Sequence, residues 1–182
     1  MRREDAIHVL VKHQLDNLSR SEREELLLNW WSIDEQDEVF HRLPRVIQKK
    51  LKMYEEPPTE EDREFDPLLI DALNSKYTGV RNSHIAKVFS ELFNVEEDIV
   101  GEVEELHSCP CCGYRTLDKR GEYFICKVCF WEDDGTRNPM DYSYPNKMTL
   151  GEAQKNFTSL GAVSKRALDF IDPEGITKYY KD

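Results

Sequence analysis

Apolar residues in the first hundred positions recur at spacings of three and four, the period of helices with one buried face. Ala6, Ile7, Leu10, Val11 and Leu18 predict a first amphipathic helix over 3–18. Ser21-Glu22-Arg23-Glu24 has the form of a capping box and opens a second, carrying Leu26, Leu27, Leu28, Trp30 and Trp31. Ser32-Ile33-Asp34-Glu35 repeats the box and predicts a break followed by a helix through Phe40. Leu43-Pro44 restarts the pattern with Val46, Ile47 and Leu51 behind it, proline being tolerated in a first helical turn. Residues 55–64, acidic and holding Pro57-Pro58, read as an exposed connection. Asp66-Pro67 opens a helix with Leu68, Leu69, Ala72 and Leu73, and Asn82 caps another with Ile85, Val88, Phe89, Leu92 and Phe93 on one face. Val95, Ile99, Val103 and Leu106 extend a spacing of about four and predict a further helix running into a strand.

Beyond residue 107 the period changes. Tyr114–Leu117 and Tyr123–Cys126 are β-prone segments joined through Asp118-Lys119-Arg120-Gly121, which predicts a hairpin with Tyr114, Leu117, Phe124, Ile125, Phe130 and Trp131 as its small core. A loop-like stretch follows to Asn146. Thr149-Leu150-Gly151-Glu152 is another capping box, opening a helix that stops at Gly161, and Ser164 caps a last short helix ending before Pro173. The fold class is therefore α+β, mainly α. An acidic helical domain over 1–106 precedes a small zinc-ribbon β-hairpin module with C-terminal helices over 107–182.

The chemistry is concentrated in that module. All five cysteines fall within residues 109–129. Cys109/Cys112 and Cys126/Cys129 form two C-x-x-C pairs, each able to aim two thiolates at one ion from a tight turn, and together able to complete a tetrahedron. Pro110 fixes φ after the first ligand, and Gly113 accepts the left-handed backbone such a turn needs. One structural Zn2+ on Cys109, Cys112, Cys126 and Cys129 is the expectation. An odd cysteine count and the absence of a secretory apolar segment argue against disulfides and for the cytoplasm. Cys111 is a bystander thiol, an alternate ligand, or a reactive thiol whose pKa the neighbouring zinc lowers. His107 is either a surface residue or a substitute ligand.

Charge is distributed unevenly. Residues 1–107 hold 14 Lys and Arg against 25 Asp and Glu, whereas residues 108–182 hold 11 of each, so the whole net charge of −11 lies ahead of the cysteines. An acidic body repels phosphate and steers towards basic partners. Glu60, Glu61, Asp62, Glu64, Glu102, Glu104 and Glu105 are the acidic positions such a partner would meet. No H-E-x-x-H, phosphate-binding glycine loop or nucleophile elbow occurs, so no catalytic residue is expected. Glu132, Asp133, Asp134 and Cys111 are the only groups from which chemistry could be built.

The run Cys-Pro-Cys-Cys-Gly-Tyr at 109–114, followed by Tyr-x-Ile-Cys-x-Val-Cys-Phe-Trp-Glu-Asp-Asp at 123–134 and by Asn146, Leu150, Ala153, Asn156-Phe157 and Gly161, resembles the bacterial cysteine-rich CPCC domain family. Thr136-Arg137-Asn138-Pro139-Met140-Asp141 stands where that family has a glycine-rich stretch. The resemblance covers residues 109–161 and implies a zinc site with no particular reaction. It also implies similarity to components of bacterial toxin–immunity loci. No family is recognised in residues 1–106.

Two functions follow from these readings. The first is a non-enzymatic zinc-binding interaction protein, an immunity or adaptor protein engaging a basic partner. The alternative is nucleic-acid binding by the ribbon, where Arg115, Lys119, Arg120, Lys127 and Arg137 lie among Tyr114, Tyr123, Phe130 and Trp131. Oligomeric state is left open, and no apolar run is long enough to span a membrane.

Overall fold

The computed structural model of the protein describes residues 1–57 and 63–182. It divides into two compact units, one of residues 1–78 with 89–101 and one of residues 79–88 with 102–182. The fold is mainly helical with two small antiparallel β-pairs.

In the first unit, α1 (Arg3–Asn17), α2 (Arg20–Trp30), α3 (Glu38–Arg42), α4 (Arg45–Met53) and α5 (Asp66–Asn74) follow the apolar spacing of the sequence. Helix α5 is the centre, with α1 and α2 packed against it. Its Leu68, Leu69, Ala72 and Leu73 are almost completely buried. Each such leucine stabilises the fold by about 1.5–3 kcal/mol. Trp31 meets Phe65 edge-on with ring centres 5.4 Å apart and donates its indole N–H to the Tyr54 carbonyl at 2.9 Å. Arg3 is buried too, its guanidinium donating to the Tyr77 carbonyl at 2.8 Å, so the charge enters the core only with its hydrogen bond made.

Helix α6 (Asn82–Phe93) contributes residues 82–88 to the second unit and 89–93 to the first. Asn94 then turns left-handed at φ 53, and the chain runs extended rather than helical. The predicted helix over 94–106 does not form. Val100 instead pairs in parallel with Arg2, its carbonyl accepting from Arg3 N–H at 2.8 Å. A spacing of four in an acidic, capless stretch suits one-sided contact along an extended chain as well as a helix.

Two helix starts differ from the sequence expectation. The box that forms at α2 uses Ser19 and Glu22, two residues earlier than predicted, leaving Glu24 to pair with Arg20 at 2.9 Å. After Trp31 the Ser32 box is not used. Asp34 and Asp37 make a turn through their own side chains, and α3 begins behind Asp37. Overlapping S-x-x-E frames and local aspartate turns compete for the same backbone donors, and spacing alone does not choose between them.

The second unit contains β1 (His107–Ser108), β2 (Arg115–Leu117), β3 (Tyr142–Ser143), β4 (Met148–Thr149), α7 (Leu150–Leu160), a 3-10 turn at Lys165–Asp169 and α8 (Gly175–Lys178). The capping box of Thr149 with Glu152 and the left-handed stop at Gly161 form as the sequence predicts. Ser164 caps a 3-10 turn rather than an α-helix, and α8 follows Pro173 where none was expected.

The hairpin predicted between 114–117 and 123–126 is replaced by two smaller ribbons. β1 pairs with β2 around the first cysteine pair, and Ile125 bridges Glu132 around the second. Tyr123, at φ 61, and Phe124 both face Asp133, making a bulge that turns the chain away from β2. Phe124 and Ile125 are consequently exposed, whereas Leu117 and Trp131 are fully buried, as are Leu150, Ala153 and Tyr179 from later in the chain.

Candidate metal centre

The two cysteine pairs sit on turns built alike. Cys109 N–H donates to the Tyr114 carbonyl at 2.9 Å and Gly113 N–H to the Cys109 carbonyl at 2.9 Å. In the second turn Cys126 N–H donates to Trp131 and Phe130 N–H to Cys126, both at 2.8 Å. The residue after the second cysteine is left-handed in each case, Gly113 at φ 79 and Phe130 at φ 68. Phenylalanine resists that conformation, and a stack on Phe170 with ring centres 5.3 Å apart holds it there.

These turns bring Cys109, Cys112, Cys126 and Cys129 into one cluster, each sulfur within 4.8 Å of the others. Cys109 Sγ lies 3.6 Å from Cys129 Sγ, and Cys112 Sγ lies 3.5 Å from Cys126 Sγ. A tetrahedral ion with metal–sulfur bonds of about 2.3 Å needs sulfurs roughly 3.8 Å apart, so the donor set fits a metal ion. None of the five cysteines is in a disulfide, and all five are buried. Burial raises the Cys109 thiol far above its ordinary range, with Cys112 and Cys126 adding to the shift. Cys126 is held well below its ordinary value: burial opposes ionisation there, and hydrogen bonds from Cys109, Cys112, Cys129 and Thr116 outweigh it. A cation bound here would hold the sulfurs as thiolates and release their protons.

Neither Cys111 nor His107 belongs to the cluster. Cys111 is buried against Cys129, and His107 is exposed on β1. Thr116 on β2 was not singled out by the sequence. Its hydroxyl donates to Cys126 Sγ at 3.0 Å, a support that the sequence signals only as a β-branched residue beside a ribbon.

Later segments clamp both turns. Gln154 of α7 donates to the Pro110 carbonyl at 2.9 Å, and Val163 and Asp172 N–H groups donate to the Cys129 and Lys127 carbonyls at 2.9 and 3.0 Å. The final residues lie along β2: Arg115 N–H donates to the Tyr180 carbonyl at 2.8 Å, Lys181 bridges Tyr114, and Asp182 binds Ser108 and Arg115. Asn146 closes the far side of the second ribbon, its amide exchanging hydrogen bonds with the Glu132 N–H at 3.0 Å and carbonyl at 2.7 Å.

Several of the remaining candidate groups are engaged in structure. Asp133 is fully buried and accepts from Arg120 Nε and Gly121 N–H, each at 2.7 Å. Arg115 pairs with Asp182 at 2.6 Å, and Trp131 presents no surface on which a base could stack. Lys119, Lys127 and Arg137 are exposed, as is Tyr123. Of the acidic positions, Glu60, Glu61 and Asp62 lie outside the described residues. Glu64 pairs with Lys50, Glu104 accepts from Gly79 N–H at 3.0 Å, and Glu102 and Glu105 are exposed. Among the described residues no helix is long and apolar enough to cross a membrane.

Residues 107–175 match the protein-family model described as Cysteine-rich CPCC. No curated protein matches the chain. No solved structure does so either.

Proposed function

We propose that this chain is a non-enzymatic interaction protein of the bacterial cytoplasm whose ribbon is held together by one structural Zn2+ on Cys109, Cys112, Cys126 and Cys129. The observation that carries the reading is the closure of the cysteine cluster. Four sulfurs, on residues that are 4% exposed or less, fill a tetrahedral shell and leave no position for an activated water or a substrate. Soft thiolate donors in a reducing compartment favour zinc over the harder oxygen-seeking cations. Asp133 is buried on Arg120 and Gly121, Asp134 accepts from Thr136 N–H and the fifth thiol is buried, which supports a metal whose contribution is folding energy, about 10–16 kcal/mol in comparable peptides.

Partner binding is supported by the charge imbalance. Glu102 and Glu105 present exposed carboxylates, and a basic protein would gain both steering and complementarity from them. An immunity or adaptor role follows from the family resemblance together with that charge. Nucleic acid is the second reading and has less behind it, because Arg115 and Arg120 are spent on Asp182 and Asp133. Affinity purification of the tagged protein from its host, divided into nuclease-treated and untreated halves, separates the two. A stoichiometric basic protein surviving nuclease is the expected result. Material lost on nuclease treatment would replace this reading with the ribbon as a nucleic-acid surface.

A further inference from the structure

Helix α4 has the opposite character to the chain that contains it. Residues 41–53 hold Arg42, Arg45, Lys49, Lys50 and Lys52 with no acidic residue, in a protein of net charge −11. Three of these cations are paired, Arg42 with Asp71, Lys50 with Glu64 and Lys52 with Glu35. Arg45 and Lys49 are exposed and make no ion pair among the described residues. At 100° per residue they share an arc of the helix with Val46 and Met53, on the side opposite Ile47. Ile47 is buried, whereas Val46 and Met53 are 56% and 61% exposed. Tyr54, immediately after the helix, is 52% exposed.

The N-terminal turn of α4 is also electrostatically incomplete. Pro44 offers no side-chain cap, the first turn contains no acidic residue, and Arg45 stands at the positive end of the helix dipole. Arg45 therefore adds positive charge where the helix already carries it. We infer that the exposed face of α4, formed by Arg45, Val46, Lys49 and Met53, is a docking surface for an acidic amphipathic helix of a protein partner. Carboxylates of that helix would pair with Arg45 and Lys49, and its apolar side chains would cover Val46 and Met53. Methionine and arginine are side chains that interfaces favour, one for its adaptable packing and the other for its directed hydrogen bonds. A polyanion that tracks charge alone would use all five cations and gain little from Val46 and Met53, so a protein helix fits the face better than a phosphate backbone does.

The test is fluorescence anisotropy with the full-length, metal-loaded protein and a labelled synthetic helical peptide carrying leucine along one face and glutamate beside it. The wild type is expected to bind saturably. Arg45→Glu with Lys49→Glu, and separately Val46→Ser with Met53→Ser, should each weaken binding by roughly tenfold or more. All four positions are exposed, so unchanged thermal unfolding of both variants shows that folding is not the cause. Absence of saturable binding, or equal binding by wild type and variants, would overturn the inference. So would tighter binding to single-stranded DNA or to anionic lipid vesicles in parallel titrations. Self-association of the wild type that both variants abolish would overturn it in favour of a second copy of this chain. Zinc content of both variants, measured alongside and expected to equal that of the wild type, keeps this result distinguishable from a failure of the zinc reading.

Discussion

Thr116 and His84 show what single side chains contribute within the second unit. The Thr116 hydroxyl donates to Cys126 Sγ at 3.0 Å, which stabilises negative charge on that sulfur and fixes its direction. Thr116→Val keeps the β-branched shape and removes the donor. It should weaken metal binding by roughly tenfold to a hundredfold, read by competition with a chromophoric chelator. His84 is 5% exposed, and burial holds its imidazole below the ordinary range, assisted by the nearby Lys178 charge. Lys87 acts in the same direction, while Glu174 and Asp172 oppose. The unfolded chain takes up this proton near pH ~6.5 and the folded chain resists it, so stability is full above that pH and declines as pH falls below it. With metal saturating, His84→Gln should show a shallower loss of stability on acidification than the wild type, measured as denaturation midpoint against pH. Parallel profiles would remove His84 from the account.

At the scale of elements, legibility depended on whether the deciding interaction was local. Helix α7 was readable to the residue because Thr149, Glu152 and Gly161 set both its ends through their own backbone contacts. Thr149→Ala, which loses the hydroxyl acceptor for Glu152 N–H, should cost about 0.5–2 kcal/mol, seen as a lower unfolding midpoint. The segment 94–106 was misread because contacts distant in sequence engage it: Val100 bridges Arg2, some hundred positions away, and Glu104 accepts from Gly79 N–H. The ribbon was half legible. Cysteine spacing identified the four sulfurs that come together, but the hairpin was placed on the wrong side of the turns. β-propensity in Tyr123–Ile125 does not reveal that Asp133 anchors Gly121 and Arg120 and draws the chain into a bulge. Thr116 and the bridge from Lys181 to Tyr114 were invisible for the same reason: their roles exist only once distant segments meet.

For the molecule as a whole, the two units differ in how they are stabilised. The first has a helical core centred on Leu68, Leu69 and Leu73 and resembles an ordinary small bundle in its apolar burial. The second has strands of two or three residues, and its buried residues include all five cysteines together with Leu117, Trp131, Leu150 and Tyr179. So little regular structure is unstable without a staple. The account therefore rests on the metal, and the most direct measurement is zinc content by elemental mass spectrometry, made together with thermal unfolding on wild type and Cys126→Ser. One zinc per wild-type chain is predicted, absent from the variant, whose second unit unfolds while the helical signal of the first is largely retained. A metal-free wild type that is fully folded, or a variant with unchanged zinc and unchanged unfolding, would contradict it.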